Sequence, residues 1–166
     1  MNIFVLSLCP YLCAKYHNDK HVVKMILEYA QLLCTAHHIC DDNPNEKLYK
    51  MTHKNHPCAI WVRETTSNYA WLYMLFRALC LEYTYRYSTS KMPNKKHTCE
   101  IKLMMILNNI PSNIPNGNIT KFRQAMPDEV KHNNSIIAYR QYYIEYKYSF
   151  CKWKKRSIPE WYQLIN

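Results

Sequence analysis

Glycine is almost missing from this chain, since Gly117 is the only one among its 166 residues. Loops that cradle phosphate groups, and the dinucleotide-binding folds built on such loops, need several glycines so that the backbone can approach the ligand closely. The sequence therefore excludes a P-loop nucleotide hydrolase and a Rossmann-type oxidoreductase.

Long apolar runs and export signals are also lacking. No uninterrupted apolar stretch approaches the roughly 20 residues that a membrane-spanning helix needs. The N-terminal sequence "MNIFVLSLCPYLC" has neither a basic region nor a small-residue cleavage site, as a signal peptide would. We therefore expect an intracellular protein that is not secreted and has no membrane partner.

The eight cysteines lack the spacing of a metal or disulfide framework. No two of them form a CxxC pair, so a zinc ribbon has little support. In a reducing compartment such cysteines act as small hydrophobic side chains. We expect no cofactor and no dedicated metal ligands.

Acidic residues are scarce relative to basic ones. The chain has 12 acidic and 22 basic side chains, which gives a formal charge of +10. This balance favours an anionic partner, with nucleic acid first and DNA as our specific expectation. A basic protein without such a partner is the alternative.

The hydrophobic pattern predicts an all-α protein in one domain, residues 1–166. Three long helices are expected, two starting at Pro10 and Pro57, because proline suits the first helical turn, and one starting after a cap at Asn134 or Ser135. The predicted spans are 10–39, 57–87 and 136–155, with a short helix at 99–109, an irregular segment at 110–133 and an extended piece at 2–6.

A line of polar residues crosses the first predicted helix, in the sequence "YHNDKHVVKMILE". On a helical wheel His17, His21, Lys24 and Glu28 fall within a stripe roughly 100° wide. The rest of this helix is largely apolar, so it packs on several sides. The stripe is either a solvated face or the floor of an active-site cleft that it shares with His56 and Arg63.

These four residues are our candidate catalytic set. Glu28 and Lys24 are one turn apart and can pair, and His21 is positioned to relay a proton. A lysine crowded by another cation can act as an amine nucleophile. His17 and His21, four residues apart, form a weaker metal-binding alternative that lacks a third ligand.

Other polar side chains are candidates for nucleic-acid binding. Basic groups contact phosphates, aromatic faces stack on bases, and amides such as those of Asn68 and Gln124 can read a base edge. Buried cross-links between helices are the alternative interpretation for several of them. The set comprises His56, Arg63, Asn68, Lys121, Arg123, Gln124, Arg140, Lys152, Lys154, Lys155 and Arg156.

Several long motifs resemble a family of small proteins encoded by phages and large DNA viruses. They include "YHNDKHVVKMILEYAQLL", "HKNHPCAIWVRETTSNYAWLY", "QAMPDEVK" and "KWKKRSIPEWY", and the resemblance covers nearly the whole chain. It implies a viral protein, located in the host cytoplasm, the host nucleus or the virion, more firmly than it implies an activity.

The order of parts is also similar to that of the pyrimidine-dimer DNA glycosylases of the endonuclease V type. Those enzymes are small, basic and all-α, with an extended N-terminal segment, a helix that carries the catalytic carboxylate, and an aromatic, basic tail. They attack with the α-amine exposed when the initiator methionine is removed before a small residue. Here Asn2 disfavours that removal, so the resemblance moves the expected amine to Lys24 or Lys20.

Three functions therefore compete. The first is a DNA-processing enzyme that excises a base, with the stripe as its catalytic floor. The second is a non-catalytic nucleic-acid-binding or virion-packaging protein, in which the stripe is structural. The third is a metal-dependent hydrolase that uses the histidines.

Overall fold

A computed structural model describes residues 1–163, and the regular structure within them is entirely helical, as predicted. Two single-turn 3-10 helices, Asp128–Val130 and Tyr148–Phe150, accompany the α-helices. The helices are α1 (Pro10–Tyr16), α2 (Asp19–Cys40), α3 (Pro57–Val62), α4 (Thr66–Tyr87), α5 (Thr98–Leu107), α6 (Ser135–Tyr146) and α7 (Glu160–Gln163).

The first predicted helix is in fact two. His17 and Asn18 are extended, with ψ angles of 133° and 164°, so α1 ends and α2 begins at this point. The Asn18 side chain accepts a hydrogen bond from the His21 backbone N–H and caps the new helix. His17 therefore lies outside the helix that carries Glu28, and the prediction that the two share one helical face is wrong.

The other two long helices are also shorter than predicted. Thr65 is extended and its hydroxyl accepts from the Asn68 N–H, so the predicted 57–87 helix is divided into α3 and α4. The last helix begins after Asn134, one of the two predicted caps, but ends at Tyr146 instead of continuing to residue 155. Pro10 and Pro57 occupy first turns, as expected.

Helix α2 is central to the core. It packs against α3, α4 and α5, and α1 packs against α4. Its apolar side chains are buried around most of its circumference, which leaves one strip of the helix for polar groups. All eight cysteines are free, and six of them are buried. None of the helices within residues 1–163 is long and apolar enough to cross a lipid bilayer.

The N-terminal segment, residues 1–9, joins no helix or sheet, and residues 2–7 of it are buried. Side chains satisfy its backbone: the Phe4 N–H donates to the Tyr29 hydroxyl, and the Leu6 N–H donates to the Cys13 thiol. Arg140 lies on α6, and its guanidinium donates to the Leu6 carbonyl. This segment is therefore fixed between α2 and α6.

Residues 108–134, here called the strap, form the predicted irregular segment. The strap runs from the end of α2, where the Ser112 N–H donates to Asp41, to the N-terminal segment, where the Asn2 side chain donates to the Ala125 carbonyl. Gly117 lies so close to Thr65 that a β-carbon would stand 3.1 Å from its methyl group. The single glycine thus serves a close approach within the fold.

Candidate functional site

A cavity of about 270 Å³ opens between α2, the end of α6, the N-terminal segment and the strap. Three residues of the predicted catalytic set line it, and His17 does not. The lining residues are Met1, Asn2, Phe4, His21, Lys24, Met25, Glu28, Ala125, Tyr142 and Lys147.

Glu28 is the carboxylate of this cavity, and its side chain is 15% exposed. One of its oxygens, Oε2, accepts from the Asn2 backbone N–H at 3.3 Å and lies 4.0 Å from the amino-terminal nitrogen of Met1. The other, Oε1, lies 3.4 Å from Nζ of Lys24. A carboxylate in contact with two amines can hold and accept protons at the cavity floor.

The α-amine is held in place by the packing of the first two residues. The Met1 side chain is 5% exposed and packs against the core. The Asn2 side chain accepts from the Tyr139 hydroxyl at 2.7 Å and donates to the Ala125 carbonyl at 2.8 Å. The amine beside Glu28 is therefore positioned by the fold, whereas the Lys24 ammonium stands on a side chain that is 71% exposed.

His21 lines the cavity as a neutral imidazole. Its Nδ1 is 2.6 Å from the Tyr143 hydroxyl. Burial lowers the pKa of His21 to about 2, helped by the positive charges of Lys147 and Lys24. A neutral imidazole can orient a ligand by hydrogen bonding, but it does not take up a proton near neutral pH, so the predicted proton relay lacks support.

His17 lies away from the cavity and is fully buried. Its Nδ1 donates to the Cys13 carbonyl, and its Nε2 accepts from the Tyr29 hydroxyl, which in turn accepts the Phe4 N–H. Since both ring nitrogens are occupied and no surface is exposed, His17 cannot contact a substrate. It supports the N-terminal segment through Tyr29, and we remove it from the catalytic set.

The two buried histidines predict a loss of stability in acid. Burial lowers the pKa of His17 to about 4 and that of His21 to about 2, both below the ordinary value of 6.5. Between roughly pH 6 and 5 the unfolded chain binds up to two protons more than the folded chain at these residues, so the unfolding free energy falls by up to about 2.7 kcal/mol per pH unit from these groups, and the slope decreases as His17 protonates near pH 4. Urea unfolding across this range measures the slope.

Two variants calibrate that measurement. His17→Asn removes one titrating group and is expected to reduce the slope by about half, at some cost in overall stability. His53→Asn removes an exposed imidazole at a residue with a φ angle of 48°, a conformation that asparagine tolerates. Its slope is expected to match that of the unmodified protein. Equal slopes in all three proteins would contradict the assignment.

Three of the predicted nucleic-acid contacts are committed inside the fold. Asn68 is fully buried, and its amide bonds to Thr120 and to the Trp61 carbonyl. The amide of Gln124 bonds to the backbone of His132 at both ends. The Asn68 amide is therefore out of reach of a base, whereas the half-buried Gln124 side chain lines an open cavity although its amide is already bonded. The Arg140 guanidinium likewise donates two hydrogen bonds to the Leu6 carbonyl.

The basic tail at 152–156 divides into structural and solvent-facing residues. The Arg156 guanidinium forms two hydrogen bonds to Glu82, and Lys155 donates to the Tyr85 carbonyl in the last turn of α4 and to the carbonyl of its C-cap, Ser88. Lys152, Lys154 and Lys155 are all exposed, but the Lys155 ammonium is engaged by those two carbonyls. DNA binding by this tail stays a prediction, and the structure leaves it mainly to Lys152 and Lys154.

Two further predicted contacts lie on the strap. Lys121 and Arg123 are exposed and line an open cavity of about 620 Å³ together with Phe122, Gln124, Lys131, His132 and Asn133. Arg123 also pairs with Glu64 at 2.5 Å. Their role in DNA binding stays a prediction.

His56 and Arg63 do not line the cavity that contains Glu28. His56 caps α3 by accepting the Cys58 N–H. Burial lowers the pKa of His56, and the amino terminus lowers it further while Glu28 raises it, so His56 lies within electrostatic reach of that pair. Arg63 donates to the Lys54 carbonyl. The cavity at Glu28 is therefore not the shared cleft that we expected. His56 lies near it without lining it, and Arg63 does not line it either.

The histidine pair that motivated the metal alternative is engaged elsewhere. His17 has both nitrogens bonded, and its ring centre is 6.4 Å from that of His21. Among residues 1–163 no three His, Cys, Asp or Glu side chains are grouped so that they could hold a metal ion. The metal-dependent hydrolase therefore loses the observation on which it rested.

Three residues of the cavity carry no local signal in the sequence. The α-amine of Met1 reaches Glu28 only through folding, and from the sequence alone the amine is expected on a lysine. Tyr142 and Lys147 belong to the end of α6, more than 110 positions from Glu28 along the chain. Position along the chain does not indicate that these groups face one cavity.

Comparison with known protein families matches residues 1–94 to the family described as pyrimidine dimer DNA glycosylase. The matched segment comprises the N-terminal segment and α1 to α4, including Glu28, and it excludes Tyr142 and Lys147. No curated protein sequence matches the chain, and no solved structure matches it. Because the match covers more than half of the 166 residues, this chain belongs to the pyrimidine dimer DNA glycosylase family.

Proposed function

We propose that this protein is a base-excision enzyme that removes pyrimidine dimers from DNA and then cleaves the strand at the resulting site. The observation that carries the proposal is the contact between Glu28 and the amino-terminal nitrogens in a cavity. The Met1 amine lies 4.0 Å from Glu28, and the Asn2 nitrogen lies 3.3 Å from it. An amine and a carboxylate at one cavity floor are the two groups that this chemistry requires.

The amine is the nucleophile in the proposed reaction. Glu28 accepts a proton from the ammonium of Met1, and the free amine attacks C1′ of the target deoxyribose. The bond between C1′ and the base nitrogen breaks, the base leaves with its electron pair and takes up a proton, and the sugar ring opens to an imine. Glu28 passes the proton it accepted to the departing base, and its regenerated carboxylate stabilises the positive charge on the sugar.

The lyase step follows from the imine. The iminium withdraws electrons from C2′, a proton is lost there, and the bond to the 3′ phosphate breaks by elimination. Water then hydrolyses the imine and releases the α-amine. Borohydride reduces the imine to a stable amine, which makes the covalent adduct observable.

The position of the α-amine favours it over the lysines that the sequence suggested. Lys20 does not line the cavity, and its Nζ lies 4.7 Å from the centre of the Phe150 ring. Lys24 lines the cavity but is largely exposed, so its ammonium is free to move. A reacting group held in one geometry has a large entropic advantage over a mobile one. Lys24 is the second candidate.

DNA is the proposed partner. The chain carries a formal charge of +10, and Lys121, Lys152 and Lys154 are exposed basic side chains. Contacts of this kind release counterions from the DNA, so affinity is expected to fall steeply as salt rises. The viral origin inferred from the sequence motifs stays a prediction.

Incision of damaged DNA tests the proposed function. Purified protein is incubated with a duplex that carries one ultraviolet-induced pyrimidine dimer and with the same duplex undamaged. Strand cleavage is measured with and without a chelator, and a covalent adduct is trapped in parallel reactions that contain borohydride. We expect strand cleavage and a covalent adduct on the damaged duplex alone, unaffected by chelator. Binding without cleavage would instead support the non-catalytic DNA-binding function. Cleavage that the chelator abolishes would support a metal-dependent hydrolase.

A further inference from the structure

The Asn2 side chain is a junction between four parts of the chain beside the cavity floor. Asn2 is 9% exposed, and its amide oxygen accepts from the backbone N–H of Ile3 at 2.9 Å and from the Tyr139 hydroxyl at 2.7 Å. The Cys58 thiol of α3 is a weak third donor to this oxygen, at 3.9 Å. The amide nitrogen donates to the Ala125 carbonyl of the strap at 2.8 Å. Both ends of the amide are therefore fixed by the fold.

The Tyr139 hydroxyl is the contribution of α6 to this junction. Tyr139 is fully buried, and burial raises the pKa of its hydroxyl well above the ordinary value, so the group stays protonated and donates. Besides Asn2, it lies 2.6 Å from the carbonyl oxygen of Arg123 on the strap. Both neighbours are acceptors and the hydroxyl has one proton, so the two oxygens share that proton in a three-centre hydrogen bond. Tyr139 thus ties residue 2 to the strap.

The junction also determines where the amino terminus lies relative to Glu28. The backbone N–H of Asn2 donates to Oε2 of Glu28, and the Met1 nitrogen, one residue earlier, lies 4.0 Å from the same oxygen. Because the Asn2 side chain is fixed at both ends, the backbone of residue 2 has little freedom to rotate. The direction in which that backbone continues to the Met1 nitrogen is fixed with it.

We propose that Tyr139 is a positioning residue of the proposed reaction, whose hydroxyl acts through Asn2 to hold the α-amine in reach of Glu28 and the target sugar. The proposal rests on the proposed function, in which this amine is the nucleophile. It goes beyond the family assignment, because Tyr139 lies outside the matched residues 1–94. Tyr139 does not line the cavity, so it acts on the reaction only through its hydrogen bonds.

Adduct formation on a duplex with one natural abasic site tests the proposal, because the sugar aldehyde of this probe reacts with an amine without base release. Tyr139→Phe removes the hydroxyl and keeps the ring in the core. At saturating protein, the rate constant for borohydride-trapped adduct is expected to fall about 10- to 100-fold, since a nucleophile that is loosely held loses the advantage of fixed geometry. Affinity for the duplex is expected to stay unchanged, because Tyr139 is fully buried.

Tyr73→Phe is the matched control. Tyr73 is a buried tyrosine of α4 whose hydroxyl donates to the Met104 carbonyl, and it does not line the cavity. This variant also loses one buried hydroxyl, so its melting temperature is expected to fall by about as much as that of Tyr139→Phe. Its rate constant is expected to equal that of the unmodified protein. Equal rate constants for the two variants would overturn the proposal, as would a defect of Tyr139→Phe that more protein fully restores.

Hydrogen exchange measured without DNA reports the position of the amino terminus directly. The N–H groups of Asn2 and Ile3 are expected to exchange about tenfold faster in Tyr139→Phe, the effect of losing one hydrogen bond at the junction. The Phe4 N–H, which donates to Tyr29, is the internal control and is expected to exchange as in the unmodified protein. Unchanged exchange at Asn2 and Ile3 would overturn the proposal.

The two measurements separate the proposal from the proposed function. Adduct formation by the unmodified protein, together with equal rate constants for the two variants, would reject the role of Tyr139 and retain the enzyme. The lack of any adduct with the unmodified protein would reject the enzyme and, with it, a role of Tyr139 in the reaction. Faster exchange in Tyr139→Phe would then assign the hydroxyl to the amino-terminal fold alone.

Discussion

Replacing Glu28 with glutamine is expected to slow base release about 10²- to 10⁴-fold, the usual effect of removing a positioned acid–base group. Glutamine keeps the size of the side chain and an oxygen that can accept from the Asn2 N–H, so the fold is expected to persist. It loses the charge that accepts the amine proton and stabilises the cationic sugar. Single-turnover incision of the dimer-containing duplex measures the rate.

Glu46→Gln is the matched control for this variant, because Glu46 is an exposed glutamate outside the cavity. Its rate is expected to equal that of the unmodified protein. The DNA affinity of Glu28→Gln is expected to remain within a few-fold of normal, which separates a catalytic defect from a binding defect. Equal rates for the two variants would show that Glu28 is scaffolding.

Replacing Arg86 with methionine is expected to destabilise the protein by about 3–5 kcal/mol, as loss of one partner from a buried ion pair does. Arg86 is fully buried and pairs with Glu82 at 2.7 Å and with Asp19 at 2.9 Å. It also donates to the His17 and Lys15 carbonyls, which have no helical hydrogen-bond partner because α1 ends there. Its loss leaves these acceptors unsatisfied in the interior. Urea denaturation measures the difference.

An exposed ion pair supplies the contrast. Arg123 pairs with Glu64 at 2.5 Å near the surface, so Arg123→Gln is expected to cost only about 0–1 kcal/mol. A cost for Arg86→Met no larger than this would mean that the buried network contributes little. Both variants are measured at neutral pH.

The Glu82 carboxylate gives the network a pH dependence. Burial alone would raise the pKa of Glu82, but hydrogen bonds from Arg156 and Arg86 outweigh burial and lower it. A carboxylate with a lowered pKa in the folded state contributes stability above its unfolded pKa, and that contribution is lost as the pH falls through the folded value. The network therefore adds to the acid sensitivity caused by His17 and His21.

The sequence was sufficient to predict the helical class and several helix starts. Pro10, Pro57 and Asn134 each mark a helix start through an effect that acts within one turn. The breaks after Tyr16 and Val62 were not predicted, because the apolar pattern continues through them. There the caps of Asn18 and Thr65 override hydrophobic periodicity.

The candidate site was only partly accessible from the sequence. Glu28, Lys24 and His21 share one helix, so helical spacing alone placed them together. Met1 and Lys147 join them through contacts between distant parts of the chain, which no local pattern encodes.

Charge clustering was a poor guide to which basic residues are available for DNA. Lys155 and Arg156 belong to the most basic stretch of the chain, yet both are used within the fold. Lys147 stands alone in a tyrosine-rich helix end, yet it faces the cavity. Local charge density does not report where a side chain is already satisfied, since its partners come from other helices.

The most direct test of this account is to locate the borohydride-trapped adduct on the chain. After digestion with trypsin, the first peptide, residues 1–15, carries the α-amine, and Lys24 falls in a separate peptide. The mass of the same peptide from untreated protein shows which residue is the first of the purified chain and therefore bears the α-amine. We predict that the reduced sugar is attached to the α-amine of the first peptide. Attachment to Lys24 or Lys147, or the lack of any adduct on dimer-containing DNA, would contradict the account.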